Sequence, residues 1–143
     1  MILKEYLELL SDLKTGVGLS NIHDQVDPFL CKLVENLTLN SLYIYILQIL
    51  KKEPAHAFKI AREVIEKYKI PCNITTVYIV LYRLEHFGYV ESEKAPDHKS
   101  KRIYYLTPEG EELLSRSMQI LQEVPTWIET IIRGGRNDTD VLP

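Results

Sequence analysis

Hydrophobic residues recur at helical spacing along the first 52 residues, where three helices are predicted. Residues 2–13 form a short amphipathic helix, and residues 24–36 form a second one. The stretch LTLNSLYIYILQILKK, residues 37–52, is the most hydrophobic of the chain and predicts a helix that is apolar nearly all round. Such a helix belongs in a core. Pro54 ends it, because the residue before a proline disfavours helical backbone angles.

Two more helices, separated by a turn that contains proline, are predicted next. The stretch AHAFKIAREVIEKYKI, residues 55–70, keeps the helical period, and Phe58 is counted among its apolar positions. Pro71 enforces a turn, Asn73 suits the N-cap of the following helix, and Gly88 suits its end. A short helix, a turn and a second helix make a helix-turn-helix pattern.

The period changes to two after this second helix, which predicts β-structure. YVESEK, residues 89–94, alternates between two sides, and KRIYYL, residues 101–106, is a second run rich in β-formers. The polar segment APDHKS, residues 95–100, is predicted to join them as a loop. Two strands joined by a polar, basic loop directly behind a helix-turn-helix form a winged helix.

A last helix is predicted to begin at Thr107 and Pro108, since threonine can cap a helix and proline is favourable at the first helical position. Its apolar stripe has the 4-3-4-3-4 spacing of a coiled-coil-like seam and consists of Leu114, Met118, Leu121, Pro125, Ile128 and Ile132. Pro125 is expected to bend or restart this helix. The predicted fold class is mainly α (α+β), a winged helix-turn-helix with a two-stranded wing, an N-terminal helical extension and a C-terminal dimerisation helix.

Composition and charge narrow the class of protein. With 45% hydrophobic and 26% charged residues, the 143 residues suit one folded domain with an appended segment. The net charge of −3 by itself argues against a nucleic-acid partner. The charge is unevenly distributed, however, because residues 41–105 hold eleven Lys and Arg against seven Asp and Glu, between acidic flanks. An excess of four charges is small, and chance is an alternative explanation.

Other residue patterns speak against several functions. Cys31 and Cys72 match no metal-ligand or redox spacing and are interpreted as bystander thiols in a reducing compartment. Lys4 and Glu5 interrupt the opening apolar residues, so no signal peptide is predicted, and the longest apolar run, LYIYIL, is too short to span a membrane. No phosphate loop, paired-histidine metal motif or nucleophile elbow is found. The expectation is a cytoplasmic protein that is not an enzyme and has no cofactor, no metal and no membrane partner.

The second helix of the helix-turn-helix, residues 73–87, has an unusual outer face. At 100° per residue its core side consists of Val77, Val80, Leu81 and Leu84. The opposite side and the flanks carry Thr75, Tyr78, Ile79, Tyr82, Arg83 and His86. Hydroxyls and arginine bind phosphates or base edges, and aliphatic groups contact the thymine methyl, so this face predicts a contact with B-DNA. The alternative is that Tyr78 and Tyr82 pack against the neighbouring helix or the wing.

The predicted wing is cationic. Its tip and root carry His98, Lys99, Lys101 and Arg102, with only Asp97 nearby. Cations at this place would lie along the sugar-phosphate backbone or probe the minor groove, and the affinity for DNA would fall steeply with salt. The alternative is an ordinary solvated loop.

A set of motifs in order carries a family resemblance, which covers residues 42–124. The motifs are Thr76-Val77-Tyr78, Leu81, Leu84-Glu85, Gly88 and Val90, followed by Arg102, Tyr105-Leu106-Thr107 and Gly110, with His56-Ala57-Phe58 upstream where the family often has His-Gly-Tyr. With these motifs the chain resembles the PadR-like winged-helix transcriptional regulators. The first 36 residues are an extension that the family core does not need.

The resemblance implies a homodimer that binds operator DNA through two winged helices, as a repressor that small hydrophobic compounds relieve. It implies that helix 73–87 enters the major groove and that wing 89–106 lies on the backbone. The DNA-binding candidates are Thr75, Thr76, Tyr78, Ile79, Tyr82, Arg83, His98, Lys99, Lys101 and Arg102. The dimer-interface candidates are Leu114, Met118, Leu121, Ile128 and Ile132. Tyr105 and Thr107 are interpreted as structural, a strand-core ring and a helix cap.

The chain is thus divided into four predicted parts. Residues 1–36 are the N-terminal helical extension, 37–107 the winged-helix DNA-binding domain, 108–133 the C-terminal dimerisation helix and 134–143 a flexible tail. Trp127 would line a pocket for an aromatic ligand or, alternatively, anchor the interface. Two other functions stay open: a winged-helix module that binds protein instead of DNA, which needs a contiguous apolar patch, and an enzyme, which needs converging titratable groups.

Overall fold

The computed structural model describes residues 4, 5, 7, 8 and 28–134, and only the backbone of residues 98–100. The first four of these residues are helical, but most of the predicted helix 2–13 lies outside the described residues. So do the first residues of the predicted helix 24–36 and almost all of the predicted tail.

Five labelled helices, a 3₁₀ turn and three strands make up residues 28–134. In chain order they are α1 (Pro28–Leu37), the 3₁₀ turn (Leu39–Ser41), α2 (Leu42–Lys52), β1 (Ala55–His56), α3 (Ala57–Glu66), α4 (Ile74–His86), β2 (Val90–Ala95), β3 (His98–Leu106) and α5 (Pro108–Ile132). The winged helix-turn-helix class is confirmed, with helices predominating over a small antiparallel sheet.

The core is built around α2, as its hydrophobicity predicts. Leu42, Ile46 and Leu47 are almost completely buried there. The other helices and the sheet contribute Ile60, Val64, Val77, Leu81, Val90 and Leu114. Each such side chain stabilises the fold by about 1.5–3 kcal/mol relative to an exposed one. The predicted helix 37–52 is interrupted by the 3₁₀ turn, so that only its second part is the core helix.

Within the described residues one stretch, Pro28–Lys52, is long and apolar enough to cross a membrane by length and composition. Its second part is α2, whose apolar side chains fill the core of the domain. Packing inside the protein therefore accounts for the hydrophobicity of that part.

The helix-turn-helix consists of α3 and α4. Lys69 between them has φ 58°, a left-handed conformation that reverses the chain before Pro71. Asn73 caps α4, because its side chain accepts a hydrogen bond from the backbone N–H of Thr76 at 2.9 Å. Gly88, with φ +81°, follows the end of α4. Both ends of this helix were predicted correctly.

The sheet has one strand more than predicted. β3 lies in the centre and pairs antiparallel with β2 on one side and β1 on the other. Ala55 pairs with Tyr104 and His56 with Ile103, which fixes the start of α3 against the root of the wing. The wing itself is a hairpin in which β3 begins at His98, so the predicted loop 95–100 shrinks to a short turn at Pro96 and Asp97.

The start of α5 is docked tightly against the end of α4. The Thr107 hydroxyl accepts a hydrogen bond from the Gly110 backbone N–H at 3.0 Å and donates one to the Gly88 carbonyl at 2.7 Å. The predicted cap at Thr107 and the predicted start at Pro108 are confirmed. The helix continues through Pro125 to Ile132, so of the two expected effects of this proline, a bend or a restart, the restart does not occur.

Leu114 was assigned to the dimer seam, and this assignment is wrong. Its side chain is 2% exposed and belongs to the hydrophobic core of its own chain. The reason is that the first turns of α5 pack on α2, where the hydroxyls of Tyr43 and Ser117 also lie 2.8 Å apart. Only the later part of the stripe is available to a partner.

Candidate nucleic-acid interface

The outer face of α4 is open to solvent. Tyr78, Ile79 and Tyr82 are 51%, 57% and 75% exposed. Thr75, Arg83 and His86 are exposed as well. The structure therefore does not bury Tyr78 and Tyr82 against a neighbouring helix, although Tyr78 borders the wing. A row of exposed tyrosine and isoleucine side chains on one helix face is typical of a contact surface.

Thr76 differs from the other predicted contacts on α4. Its side chain is half-buried, and its hydroxyl lies 3.1 Å from the Asn73 side-chain oxygen and donates to it. The hydroxyl proton therefore supports the N-cap of the helix and is not free for a phosphate. The position of Thr76 is better explained by capping than by a DNA contact.

Arg102 is held in place by the hairpin and by α4. Its Nε donates to the Ser92 hydroxyl at 2.9 Å, and one Nη donates to the Ser92 carbonyl at 3.2 Å. The Ser92 hydroxyl in turn contacts both carboxylate oxygens of Glu85 on α4, at 2.9 and 3.0 Å. This chain of hydrogen bonds sets the orientation of the wing relative to α4.

The two faces of the hairpin differ in charge. Ser92 and Lys94 lie opposite Tyr104 and Arg102 in the β2–β3 register, and the alternation of side chains places them on the face toward α4. Glu91 and Glu93 lie on the other face, where a hydrogen bond to Glu91 is the main cause that raises the pKa of Tyr105. Of the two faces of the hairpin, the one that adjoins α4 therefore carries the cations Lys94 and Arg102.

The four predicted wing contacts lie at different places. Arg102 adjoins α4 as described, and Lys101 is exposed one residue before it. His98 and Lys99 are part of β3, next to the turn of the hairpin, but their side chains lie outside the described residues.

Tyr104 forms the floor between the wing and α4. Its ring is 7% exposed, and burial raises the pKa of its hydroxyl, with Glu85 and Tyr78 acting in the same direction. The hydroxyl therefore stays protonated at neutral pH, which leaves it able to donate a hydrogen bond.

Two crevices meet at Tyr78. One, of about 480 Å³, lies between α4 and the wing and is lined by Tyr78, Tyr82, Glu85, His86, Arg102 and Tyr104. The other, of about 530 Å³, lies between α3 and the wing, and its lining includes Phe58, Arg62 and Lys101. Tyr78 thus forms the ridge between a crevice that contains a carboxylate and one that contains only neutral and basic groups.

Phe58 and Arg62 are site residues that the sequence did not reveal. Phe58 was counted among the apolar positions of its helix, but it is 65% exposed. It lies in the first turn of α3, outside the buried stripe formed by Ile60, Ala61 and Val64. On a helical wheel of α3 it lies away from that stripe, so the apolar character of Phe58 alone did not predict its burial.

Arg83 points away from the wing. It lines a groove of about 480 Å³ on the other flank of α4, with residues of the 3₁₀ turn, α2 and α5 such as Leu39, Tyr43 and Leu113. A contact of Arg83 with DNA would therefore involve a different strand segment from the one that reaches the wing.

A second exposed surface runs along the later part of α5. Met118, Leu121 and Ile128 are each about two-fifths exposed, and Ile132 is 76% exposed. Trp127 lies among them and is 44% exposed. These side chains form the seam surface, defined as Met118, Leu121, Ile128 and Ile132. An apolar stripe of this length on one helix is typical of a protein interface.

Metal-binding geometry is not found in the described part of the chain. No group of three or more His, Cys, Asp or Glu residues converges there in a way that would hold a metal ion. The histidines that line the crevices, His56 and His86, lie in different crevices.

Comparison with known proteins agrees with this geometry. Residues 46–116 match the family described as "Transcriptional regulator PadR-like family", a range that contains α3, α4, the three strands, the later part of α2 and the docked start of α5. No protein with a curated description matches the chain.

Several solved structures share the fold. A PadR family transcription regulator from Clostridium difficile is 23% identical with a TM-score of 0.55, covering 63% of this chain and 96% of that one. A PadR-like transcription factor from Bacteroides fragilis is 22% identical with a TM-score of 0.59, covering 70% and 98%. A transcriptional regulator from Clostridium thermocellum is 18% identical with a TM-score of 0.57, covering 78% and 99%.

Proposed function

The chain belongs to the PadR-like family of transcriptional regulators, and from this membership we propose that it binds operator DNA as a homodimer and represses transcription. The observation that carries the proposal is the row of exposed side chains on α4, Tyr78, Ile79 and Tyr82, next to a wing whose adjoining face is cationic. Both parts are needed, because aromatic side chains alone would suit a protein partner as well.

In the proposed complex α4 enters the major groove. Thr75 and Tyr78 lie in its first half and offer hydroxyls to base edges and phosphates, while Ile79 offers an apolar surface to a thymine methyl group. Tyr82 and His86 follow one and two turns later and reach the groove edge. Arg83, on the far flank, pairs with phosphate on the strand away from the wing.

The wing follows the sugar-phosphate backbone. Lys101 supplies a mobile charge, and Arg102 supplies a fixed one, because Ser92 and Glu85 orient its guanidinium. His98 and Lys99, next to the hairpin turn, extend the contact toward the minor groove. Each phosphate contact releases counterions, so the affinity is expected to fall steeply as salt rises.

Dimerisation brings two winged helices to one duplex. The seam surface on α5 is apolar and exposed, and a second copy of the same helix offers the same surface. Two recognition helices on one face of B-DNA must be about 34 Å apart, which is one helical turn. The N-terminal extension, residues 1–36, is proposed to brace this dimer.

The proposed regulation follows the family. Repression would be relieved by a small hydrophobic compound, and Trp127, beside the seam surface, is the aromatic side chain proposed to contact it. The protein would act in the cytoplasm, where its operator is, and it needs no cofactor for this function.

Replacement of Tyr78 by alanine is expected to weaken binding to a fragment of the protein's own promoter by about 10- to 100-fold, since one good base contact contributes about 1–3 kcal/mol. The fold should be unaffected, because the side chain is half exposed. Gel shifts at two salt concentrations measure the effect, and circular dichroism checks the fold.

Tyr78→Phe and Tyr45→Phe are the matched variants for this test. The first keeps the ring and removes the hydroxyl, and the second removes a hydroxyl that donates to the Leu37 carbonyl, away from the proposed interface. Equal DNA binding by Tyr78→Ala and the parent would refute the assignment of α4 as the recognition helix.

The protein-binding alternative predicts a different salt response. A complex formed through the apolar groups of Ile79, Tyr82 and Phe87, which is 64% exposed, would depend little on salt. A DNA complex would lose affinity in proportion to the number of phosphates contacted.

A further inference from the structure

The crevice between α3 and the wing has an unusual chemical composition. Its lining consists of His56, Ala57, Phe58, Arg62, Tyr78, Lys101, Arg102 and Tyr104. It therefore combines three cationic side chains with three aromatic rings and a histidine, and contains no carboxylate. The neighbouring crevice, with which it shares Tyr78, Arg102 and Tyr104, contains Glu85.

We propose that this crevice is a binding site for one phosphate group of the DNA backbone, with Arg62 of α3 and Lys101 of the wing as its two mobile cations. The inference rests on the proposed function and adds a third element, α3, to the DNA contacts of α4 and the wing. It also assigns a role to Arg62, which no motif of the chain suggested.

The charges favour a phosphate over a base in this crevice. A phosphate is repelled by Glu85 on the other side of Tyr78, whereas every ionisable group in the α3 crevice is basic or a tyrosine. His56 adds a donor, because its Nδ1 accepts the backbone N–H of Lys59 at 3.1 Å and its proton is therefore on Nε2. Hydrogen-bond donors and cations around one cavity are the groups that bind phosphate.

Arg62 has its charge available for this role. Its side chain is exposed, and within residues 28–134 the ion pairs join other partners: Lys32 with Glu35, Lys59 with Glu53, Arg116 with Glu112 and Arg133 with Glu129. Arg102, by contrast, uses two guanidinium nitrogens to bind Ser92 and forms a wall of the crevice. Arg62 is therefore the better ligand for an incoming phosphate.

The crevice is larger than one phosphate group, and Phe58 lines the additional space. It lies four residues before Arg62, so the two side chains share one face of α3. A phenyl ring that is 65% exposed beside a phosphate site can pack on the deoxyribose that carries the phosphate. The crevice thus suits a phosphate together with its sugar, and not a free inorganic ion.

The test compares Arg62→Gln with Arg116→Gln, which removes the same charge from α5. Binding of the dimeric, full-length chain is measured by fluorescence anisotropy at four salt concentrations, with a duplex recovered from the source genome and a duplex of unrelated sequence. Arg62→Gln is expected to weaken both complexes by about tenfold near 0.1 M salt, as for a hydrogen bond between charged groups. The slope of log K against log salt should become smaller in magnitude by about 0.9.

Two further outcomes separate this inference from the proposed function. If Arg62→Gln keeps the parent's slope of log K against log salt while Tyr78→Ala loses affinity, the phosphate-binding site is refuted and the regulator function stands. If Arg62→Gln weakens binding to the genomic duplex only, Arg62 contacts bases, and the proposed phosphate-binding site is again refuted. Arg62→Lys should retain most of the slope, since it keeps the charge, and Arg116→Gln should behave like the parent.

Discussion

Leu121→Glu is expected to be a monomer and to lose at least about 100-fold in affinity for its operator. Leu121 lies near the middle of the seam surface, between Met118 and Ile128, and is 43% exposed in the single chain. In a symmetric dimer two glutamates would be buried near each other in an apolar interface, which costs several kcal/mol. The affinity falls because two linked half-site contacts bind about 10²–10⁴ more tightly than one.

Light scattering and anisotropy measure the two parts of this prediction. Gln119→Glu is the matched control, because it adds the same charge two residues earlier, at an exposed position on a different face of α5 from the seam surface. It should remain dimeric and bind DNA like the parent. A Leu121→Glu variant with the parent's mass would show that α5 does not form the interface.

Gly110→Ala is expected to destabilise the fold by about 3 kcal/mol, at the upper end of the range for overpacked sites. A Cβ atom at this position would lie 2.0 Å from the carbonyl oxygen of Tyr89 and 2.7 Å from a methyl carbon of Leu106. The Leu106 methyl can move, but the Tyr89 carbonyl is backbone and accepts the N–H of Thr107 at 3.2 Å. The substitution must therefore displace α5 from the winged helix.

Thermal unfolding followed by circular dichroism checks this prediction, with a decrease in Tm of about 10 °C expected for a domain of this size. Ser115→Ala is the control, since it introduces the same residue at an exposed position of α5 beyond the first turn. Its Tm should stay within about 2 °C of the parent's, because exposed substitutions usually change stability by less than about 0.5 kcal/mol. If the Tm of Gly110→Ala equals that of the parent, the close packing of α5 on Tyr89 is not required for stability.

The close packing of Gly110 on Tyr89 accounts for part of the motif that carries the family resemblance. Tyr105-Leu106-Thr107 and Gly110 carry part of the family resemblance, and the structure gives the spacing from Thr107 to Gly110 a physical reason in this chain. Thr107 must accept the Gly110 N–H and reach the Gly88 carbonyl, and Gly110 must have no side chain. The Thr107 and Gly110 positions of the motif therefore fix the start of α5 to the end of α4.

The elements that the sequence predicted well are those decided by local chemistry. α4 was correct at both ends because an asparagine cap, a helical period and a glycine stop lie within sixteen residues of one another. β1 was missed because a strand of two residues has no period of its own. Its pairing with β3 joins residues almost fifty positions apart, and no local signal reports such a contact.

In the candidate site, too, local sequence predicted some residues correctly, and others are brought together only by the tertiary fold. The outward face of α4 followed from the helical period, so Tyr78, Ile79 and Tyr82 were placed correctly on the surface. Leu114 was misplaced because a stripe of apolar residues does not reveal which part of it packs inside the same chain. The place of Arg62 in a crevice beside the wing was missed because the wing approaches α3 only through the tertiary fold.

We propose that the outer face of α4 and the adjoining wing bind duplex DNA in two copies. This is tested by recovering the fragments that the full-length protein retains from the source genome and comparing their sequences with the input. Enrichment of inverted half-sites whose centres lie about one helical turn apart is expected, and Tyr78→Ala should abolish that enrichment. Retained fragments that do not differ from the input, or the same enrichment with Tyr78→Ala, would contradict it.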